Sequence, residues 1–96
     1  MQWPTVRGVP RPTTRSRRSS SPQAAFGAVL RRLRQGKGFS QDAFAHDTGY
    51  HRNYVGQLER GEKSPSLNAL FDFAGSFGMK PSELLRLMEY ELARSK

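Results

Sequence analysis

The sequence contains no cysteine, which excludes a disulfide framework and a thiolate metal site. Its two histidines, His46 and His51, are too few for a structural zinc site built on histidine. No apolar run approaches the length of about 18 residues that predicts a membrane span, and no signal-peptide core follows the N-terminus. These absences predict a protein that works in a reducing, cytoplasmic setting, with no membrane contact, metal or other cofactor.

Catalytic patterns are missing as well. The sequence shows no paired carboxylates, no Ser/His/Asp arrangement and no glycine-rich loop that could cradle a phosphate. An enzyme is therefore not expected. With 96 residues, the chain can form one small domain at most.

Positive charge is abundant and unevenly distributed. The chain has 16 Lys and Arg against 8 Asp and Glu, a formal net charge of +8. Residues 1–22 hold arginines and no acid, residues 23–63 also carry a basic excess, and residues 64–96 are balanced. This distribution favours a polyanionic partner for the first two segments. An aid to solubility remains the alternative explanation.

Residues 1–22 are rich in Pro, Ser, Thr and Arg and contain few side chains that could be buried. Such a composition predicts a disordered basic tail, because burial cannot offset the entropy of ordering it. The tail could be an arm that follows DNA phosphates or enters a minor groove, or it could be a solvated basic leader.

Residues 23–96 are predicted to form one all-α domain of five short helices, without strands. Apolar residues recur at three- and four-residue spacing from Gln23, and glycines or a proline separate the segments. The predicted helices cover residues 23–36, 41–48 behind the N-cap Ser40, 52–60 before Gly61, 67–77 before Gly78, and a stretch from Pro81 that frays after Met88.

The predicted core is small and rich in phenylalanine. Its members are Phe26, Leu30, Leu33, Phe39, Phe44, Val55, Leu58, Leu70, Phe73, Phe77, Met79, Leu84 and Leu85. In the fourth helix, Leu67 and Phe71 are predicted to share one broad apolar face with Leu70, Phe73, Ala74 and Phe77. In the fifth helix, Leu87, Met88 and Leu92 exceed what one small core needs. They are expected to form a homodimer contact, unless they only complete the monomer core.

The segment 39–65 carries the functional signal. Two short helices meet at Gly49, which is the pattern of a helix-turn-helix DNA reader. In the second of these helices, Asn53 and Gln57 are four residues apart and share a face, with Arg52 beside them at the N-terminal end. Arginine can bind guanine through two hydrogen bonds, and Asn and Gln can do the same with adenine. Arg52, Asn53 and Gln57 are therefore the candidate base readers.

In their order, these elements resemble the Xre/Cro/C1-type helix-turn-helix family, which has the phage-repressor fold. The resemblance rests on Leu33-Arg34, Phe39-Ser40-Gln41, Phe44-Ala45, Gly49, Val55, Leu58-Glu59-Arg60-Gly61, Pro65-Ser66-Leu67, Leu70 and Ala74. Residues 52–61 are also similar to the controller proteins of restriction–modification systems.

This resemblance implies further roles. Gln41, at a helix N-terminus that attracts phosphate, would hold the DNA backbone. Backbone contacts are also expected from Arg60, Lys63 and Ser64. Tyr54 would contact a phosphate or the sugar edge, or would instead be partly buried against the fourth helix. Arg34 and Glu59 would form a partly buried structural ion pair between the first and third helices.

Two positions depart from the family pattern at the entry to the reading helix. His51 replaces the usual Ser or Thr N-cap, and Tyr50 replaces the usual Val or Ile. Phe44 also replaces the usual Leu. Larger side chains at Tyr50 and Phe44 predict an altered angle between the two helices.

The sequence thus predicts a cytoplasmic, sequence-specific regulator that binds double-stranded DNA without catalysis, as a homodimer formed through its C-terminal helix. Two alternatives remain open at this point. One is an antitoxin that represses its own operon and binds a protein toxin. The other is a protein-interaction module whose helix-turn-helix has lost DNA binding.

Overall fold

The structure, a computed structural model, describes residues 21–94. Within this range the chain forms helices and no strands. The helices are α1 (Pro22–Gly36), α2 (Gln41–Thr48), α3 (Arg52–Glu59), α4 (Leu67–Ser76) and α5 (Pro81–Arg94). The predicted all-α fold with five helices is confirmed. No helix in the described range is long and apolar enough to cross a membrane.

Helix boundaries follow the predicted signals with small differences. The prediction that the chain frays after Met88 is wrong, since α5 continues to Arg94. An ion pair of 2.9 Å between Arg32 and Glu91 connects this last part of α5 to α1. Residues 1–20, most of the tail that was predicted to be disordered, lie outside the described residues. The last two tail residues, Ser21 and Pro22, instead form the start of α1.

Serine side chains fix the starts of three helices. The hydroxyl oxygens of Ser21, Ser40 and Ser66 each accept a hydrogen bond of 3.0 Å from the backbone N–H three residues later. This arrangement satisfies one of the free donors in the first turn of a helix. In contrast, His51 makes no side-chain cap bond at the start of α3. Helix α3 therefore begins without a side-chain cap.

Phenylalanine rings join three helices in the core. The ring of Phe73 in α4 lies 6.4 Å from that of Phe26 in α1 and 5.2 Å from that of Phe44 in α2, measured between ring centroids. Phe44 also stacks on Phe77 at 5.2 Å. All four are buried. The larger residue at position 44 is thus accommodated inside the core, where aromatic pairs add to the stabilisation from burial.

Burial agrees with most of the predicted core and corrects it at Leu85, and it narrows the predicted apolar face of α4 at Leu67 and Phe71. Leu85 is 45% exposed, Leu67 is 76% exposed and Phe71 is 59% exposed. The prediction that Leu85 belongs to the core is wrong, and the apolar face of α4 is narrower than predicted, because only one face of each outer helix can contact the core. Leu33, Phe39 and Met79 are partly buried at its edge. The prediction missed several small buried residues, namely Ala25, Val29, Ala45, Ala69 and Ala74.

Gly27 allows α1 and α3 to approach closely. A Cβ atom at this position would lie 2.5 Å from the carbonyl oxygen of Leu58 and 2.7 Å from that of Glu59. No side chain fits in that space, since both neighbours are backbone atoms. The C-terminal end of α3 is thus packed closely against α1.

Candidate nucleic-acid interface

The turn between α2 and α3 is short and set by Gly49. This glycine has a φ of 79°, and its N–H donates to the carbonyl oxygen of Ala45 at 2.9 Å, which ends α2. Glycine adopts this left-handed conformation without steric cost. Only Tyr50 and His51 then separate the turn from α3. The two helices have the spacing and order of a helix-turn-helix.

The three predicted base readers lie on one surface. Arg52 and Asn53 are exposed and Gln57 is half-buried. Together with His51, Tyr54 and Lys63 they line an open groove of about 640 Å³. The structure therefore brings Lys63, which comes from the loop after α3, beside the predicted base readers.

An acidic residue contacts the first of these readers. Arg52 Nε lies 3.2 Å from Oδ1 of Asp42, in the first turn of α2. Both side chains are largely exposed. The sequence prediction did not include Asp42 in the site. Asp42 lies in the first turn of α2, where its charge also complements the helix dipole.

Three of the predicted backbone-binding residues, Gln41, Arg60 and Ser64, contact other side chains of the protein. Gln41 donates from its amide nitrogen to Glu59 Oε1 at 3.0 Å, and Ser64 donates from its hydroxyl to Gln23 Oε1 at 3.2 Å. Arg60 pairs with Glu62 at 2.7 Å. The hydrogen bond from Arg60 lowers the pKa of the Glu62 carboxyl below its usual range.

Tyr54 is partly buried, as one of the two alternatives predicted. Its hydroxyl oxygen accepts a hydrogen bond of 3.2 Å from the backbone N–H of Ser66, which precedes α4. Its ring stacks on Tyr50, with centroids 5.6 Å apart. The hydroxyl proton can still be donated. Tyr54 thus connects α3 to the start of α4 and also lines the groove.

Tyr50, in the turn between α2 and α3, contacts two residues of α4. Its ring lies edge-on to Phe73 at 5.2 Å, and its hydroxyl donates to Asp72 Oδ2 at 2.6 Å. This hydrogen bond, together with burial and the charge of Asp72, raises the pKa of Tyr50 to about 12. The larger residue at the turn therefore gains contacts with α4, and these contacts set the position of α3.

Three residues donate hydrogen bonds to the carboxylate of Glu59, at the C-terminal end of α3. Arg34 donates through Nε to Oε2 at 2.6 Å and through Nη2 to Oε1 at 3.0 Å. Gln41 and Arg31 donate to Oε1 at 3.0 and 3.4 Å. Burial by itself would raise the pKa of Glu59, but these hydrogen bonds and the charge of Arg34 outweigh it, so the pKa falls below its ordinary value. The carboxylate remains charged and links α1, α2 and α3.

A family model described as a helix-turn-helix domain matches residues 25–89. The chain belongs to the helix-turn-helix family of transcriptional regulators. The control protein C.BamHI of Bacillus amyloliquefaciens is 33% identical over 61 residues, covering 62% of this chain and 75% of that protein. The predicted Xre/Cro-type resemblance is confirmed.

Solved structures of other helix-turn-helix regulators have the same fold. The restriction–modification controller protein C.AhdI from Aeromonas hydrophila is 40% identical, with a TM-score of 0.61 over 65% of this chain and 94% of that chain. The clp gene regulator ClgR from Corynebacterium glutamicum is 27% identical, with a TM-score of 0.73 over 78% of this chain and 80% of that one.

Two further residues of this helix-turn-helix protein were missed by the sequence prediction. They are Asp42, at Arg52, and Arg31, at Glu59. Arg31 also lines a cleft of about 430 Å³ between α1 and the end of α3, where Arg32 and Arg60 lie as well. A signal for Arg31 existed in the sequence, since it precedes Arg34 by three residues and must lie on a neighbouring face. No signal identified Asp42, because its partner is in another helix.

Proposed function

We propose that this regulator binds a specific sequence of double-stranded DNA by inserting the N-terminal half of α3 into the major groove. The observation that carries the proposal is the groove lined by Arg52, Asn53, Gln57 and Lys63. An α-helix with its side chains is about 10–12 Å wide, which matches the major groove of B-DNA. The basic excess of residues 23–63 supports a polyanionic ligand.

The proposed roles divide into base reading and backbone contact. Arg52 would bind guanine, while Asn53 and Gln57 would bind adenine or water-bridged base edges. Gln41, Tyr54, Arg60, Lys63 and Ser64 would contact phosphates, which set the register of the protein on the duplex. Gln41 supports this division, since its contact with Glu59 leaves one amide N–H for a phosphate oxygen.

We further propose a homodimer formed through α5. Leu85, Met88 and Leu92 recur at three- and four-residue spacing and so lie along one stripe of that helix. Leu85 is exposed, whereas Met88 and Leu92 are partly buried. Leu87 and Met88, both expected in the dimer contact, also pack against the core, which leaves Leu85 as the most exposed part of the stripe. A two-fold dimer would place two reading helices about 34 Å apart on one face of the duplex.

The function requires neither catalysis nor a cofactor, and it places the protein with the DNA in the cytoplasm. Control of restriction–modification genes is supported by the resemblance to C.BamHI and C.AhdI, both described as control or controller proteins. Against a module that has lost DNA binding, Arg52 and Asn53 remain exposed in the groove. None of the relatives named above is described as an antitoxin.

Selection from a random pool of DNA duplexes, followed by affinity measurements, tests the proposal. The wild type should enrich one sequence motif. Replacing both Arg52 and Asn53 with alanine should cost about 1–3 kcal/mol per bidentate contact on that motif, with a much smaller loss on random DNA. Arg86→Ala is the matched control for one lost charge, because Arg86 is exposed on α5. Equal losses on both duplexes, or no enriched motif, would contradict base reading.

The dimer has its own test in solution. Leu85→Asp places a charge on the proposed stripe and should convert the dimer to a monomer in sedimentation experiments. Tyr90→Asp is the control, since Tyr90 is 61% exposed on another face of α5. Dissociation by Tyr90→Asp, with Leu85→Asp unaffected, would place the contact elsewhere.

A further inference from the structure

The ion pair between Asp42 and Arg52 has no evident role in stability. Arg52 Nε lies 3.2 Å from Asp42 Oδ1, and the side chains are 64% and 77% exposed. Exposed pairs of this kind contribute little to stability, because water screens the charges and both side chains must be ordered. An explanation for the pair must therefore come from the surface on which it lies.

That surface is the groove around the start of α3, where Arg52 is a proposed base reader. An acid placed there works against binding to DNA phosphates, and this chain has only 8 acidic residues against 16 basic ones. A repulsive group at an interface lowers the affinity for every DNA sequence. It benefits recognition only when it increases the difference in affinity between the preferred sequence and the others. Asp42 can increase this difference in affinity only if it affects the contact between Arg52 and its base.

The geometry of the ion pair allows Asp42 to affect the contact between Arg52 and its base. Asp42 approaches Nε, on the inner side of the guanidinium group. Within residues 21–94, the two terminal nitrogens of Arg52 have no protein partner. These terminal nitrogens are able to donate two parallel hydrogen bonds to O6 and N7 of guanine.

We propose that Asp42 is a positioning residue that determines specificity, holding Arg52 in the orientation that reads guanine. The inference rests on the proposed function. An arginine that is oriented before binding loses less conformational freedom when it meets its base, and this advantage is realised only where the bidentate contact forms. Asp42 thus increases the preference for guanine at one position, and it does so from α2, outside the reading helix.

The test compares the wild type, Asp42→Ala and Arg52→Ala on the duplex selected by the wild type from a random pool. Each protein is also measured on the three duplexes that replace the guanine read by Arg52. Asp42→Ala should reduce the guanine preference by about two- to tenfold, which corresponds to the freedom of one long side chain. Its affinity for random DNA should stay the same or rise slightly, because one negative charge is lost.

Asp47→Ala is the matched control, since Asp47 is an exposed acid of the same helix that contacts Ser76 instead of Arg52. It should leave the guanine preference unchanged. The inference is overturned if Asp42→Ala keeps the full preference while Arg52→Ala loses it, or if Asp42→Ala and Asp47→Ala strengthen binding to all duplexes equally. If the wild type enriches no motif, or none whose guanine depends on Arg52, the proposed base reading fails and the inference fails with it.

Discussion

Arg34 and Glu59 join α1 to α3 through two hydrogen bonds of 2.6 and 3.0 Å, and neither residue is exposed by more than a tenth. Arg34 also donates through Nη1 to the carbonyl oxygen of Phe39 at 2.8 Å, in the loop before α2. The pair therefore holds three elements at the base of the helix-turn-helix. Every donor and acceptor it needs is supplied by the protein, which is the condition for a buried charge to be tolerated.

Removing one partner should be costly. Arg34→Met leaves the Glu59 carboxylate buried with weaker partners, and we expect a loss of about 3–5 kcal/mol in the free energy of unfolding, measured by urea denaturation. Arg32→Met is the control, because the Arg32–Glu91 pair is largely exposed on the arginine side and should cost no more than about 1 kcal/mol. Comparable losses for the two variants would contradict a structural role for the buried pair.

Acid should weaken the fold through the same carboxylate. The folded-state pKa of Glu59 lies below 4.5, so its contribution is complete above pH 4.5 and is lost as the pH falls through the folded value. The measurement is unfolding free energy against pH. Glu59→Gln should be less stable at neutral pH and should lose less additional stability in acid. Glu89→Gln, at an exposed position of α5, should retain the wild-type acid response.

Gly27 should tolerate no side chain. Gly27→Ala places a Cβ within 2.7 Å of two backbone oxygens, which forces α1 and α3 apart and should cost about 1–3 kcal/mol in thermal or urea unfolding. Gly75→Ala, in α4, meets nothing within 4 Å and should instead stabilise the protein by about 0.5–1 kcal/mol. A neutral effect at Gly27 would show that the two helices are not packed this closely.

Tyr50 should ionise late. In a variant with Tyr54→Phe and Tyr90→Phe, Tyr50 is the remaining tyrosine, and its ultraviolet titration should have a midpoint near pH 12. Since this pKa is raised, the stability that Tyr50 contributes is present below pH 10 and is lost as the pH rises through 12. Adding Asp72→Asn should lower the midpoint, because the charged acceptor of the hydrogen bond is removed. An unchanged midpoint would exclude Asp72 as the cause.

Helix positions were predictable because they depend on local signals. Serine caps, the glycines that end helices and Pro81 at the start of α5 act over a few residues of sequence. The exposed faces of the outer helices were less predictable. Leu67 and Phe71 are apolar and have helical spacing, yet they point away from the core, since periodicity does not reveal how wide a face the neighbouring helices cover.

The sequence by itself determined the five helices, the short turn at Gly49 and a set of polar side chains at the start of α3. These features depend on backbone conformation and on spacing within one helix. Only the tertiary structure decided which of those side chains have partners from other helices. Asp42 at Arg52 and Gln41 at Glu59 each join α2 to α3, and Tyr50 at Asp72 joins the turn to α4. Such contacts arise when packing brings distant segments together, and no local pattern in the chain encodes them.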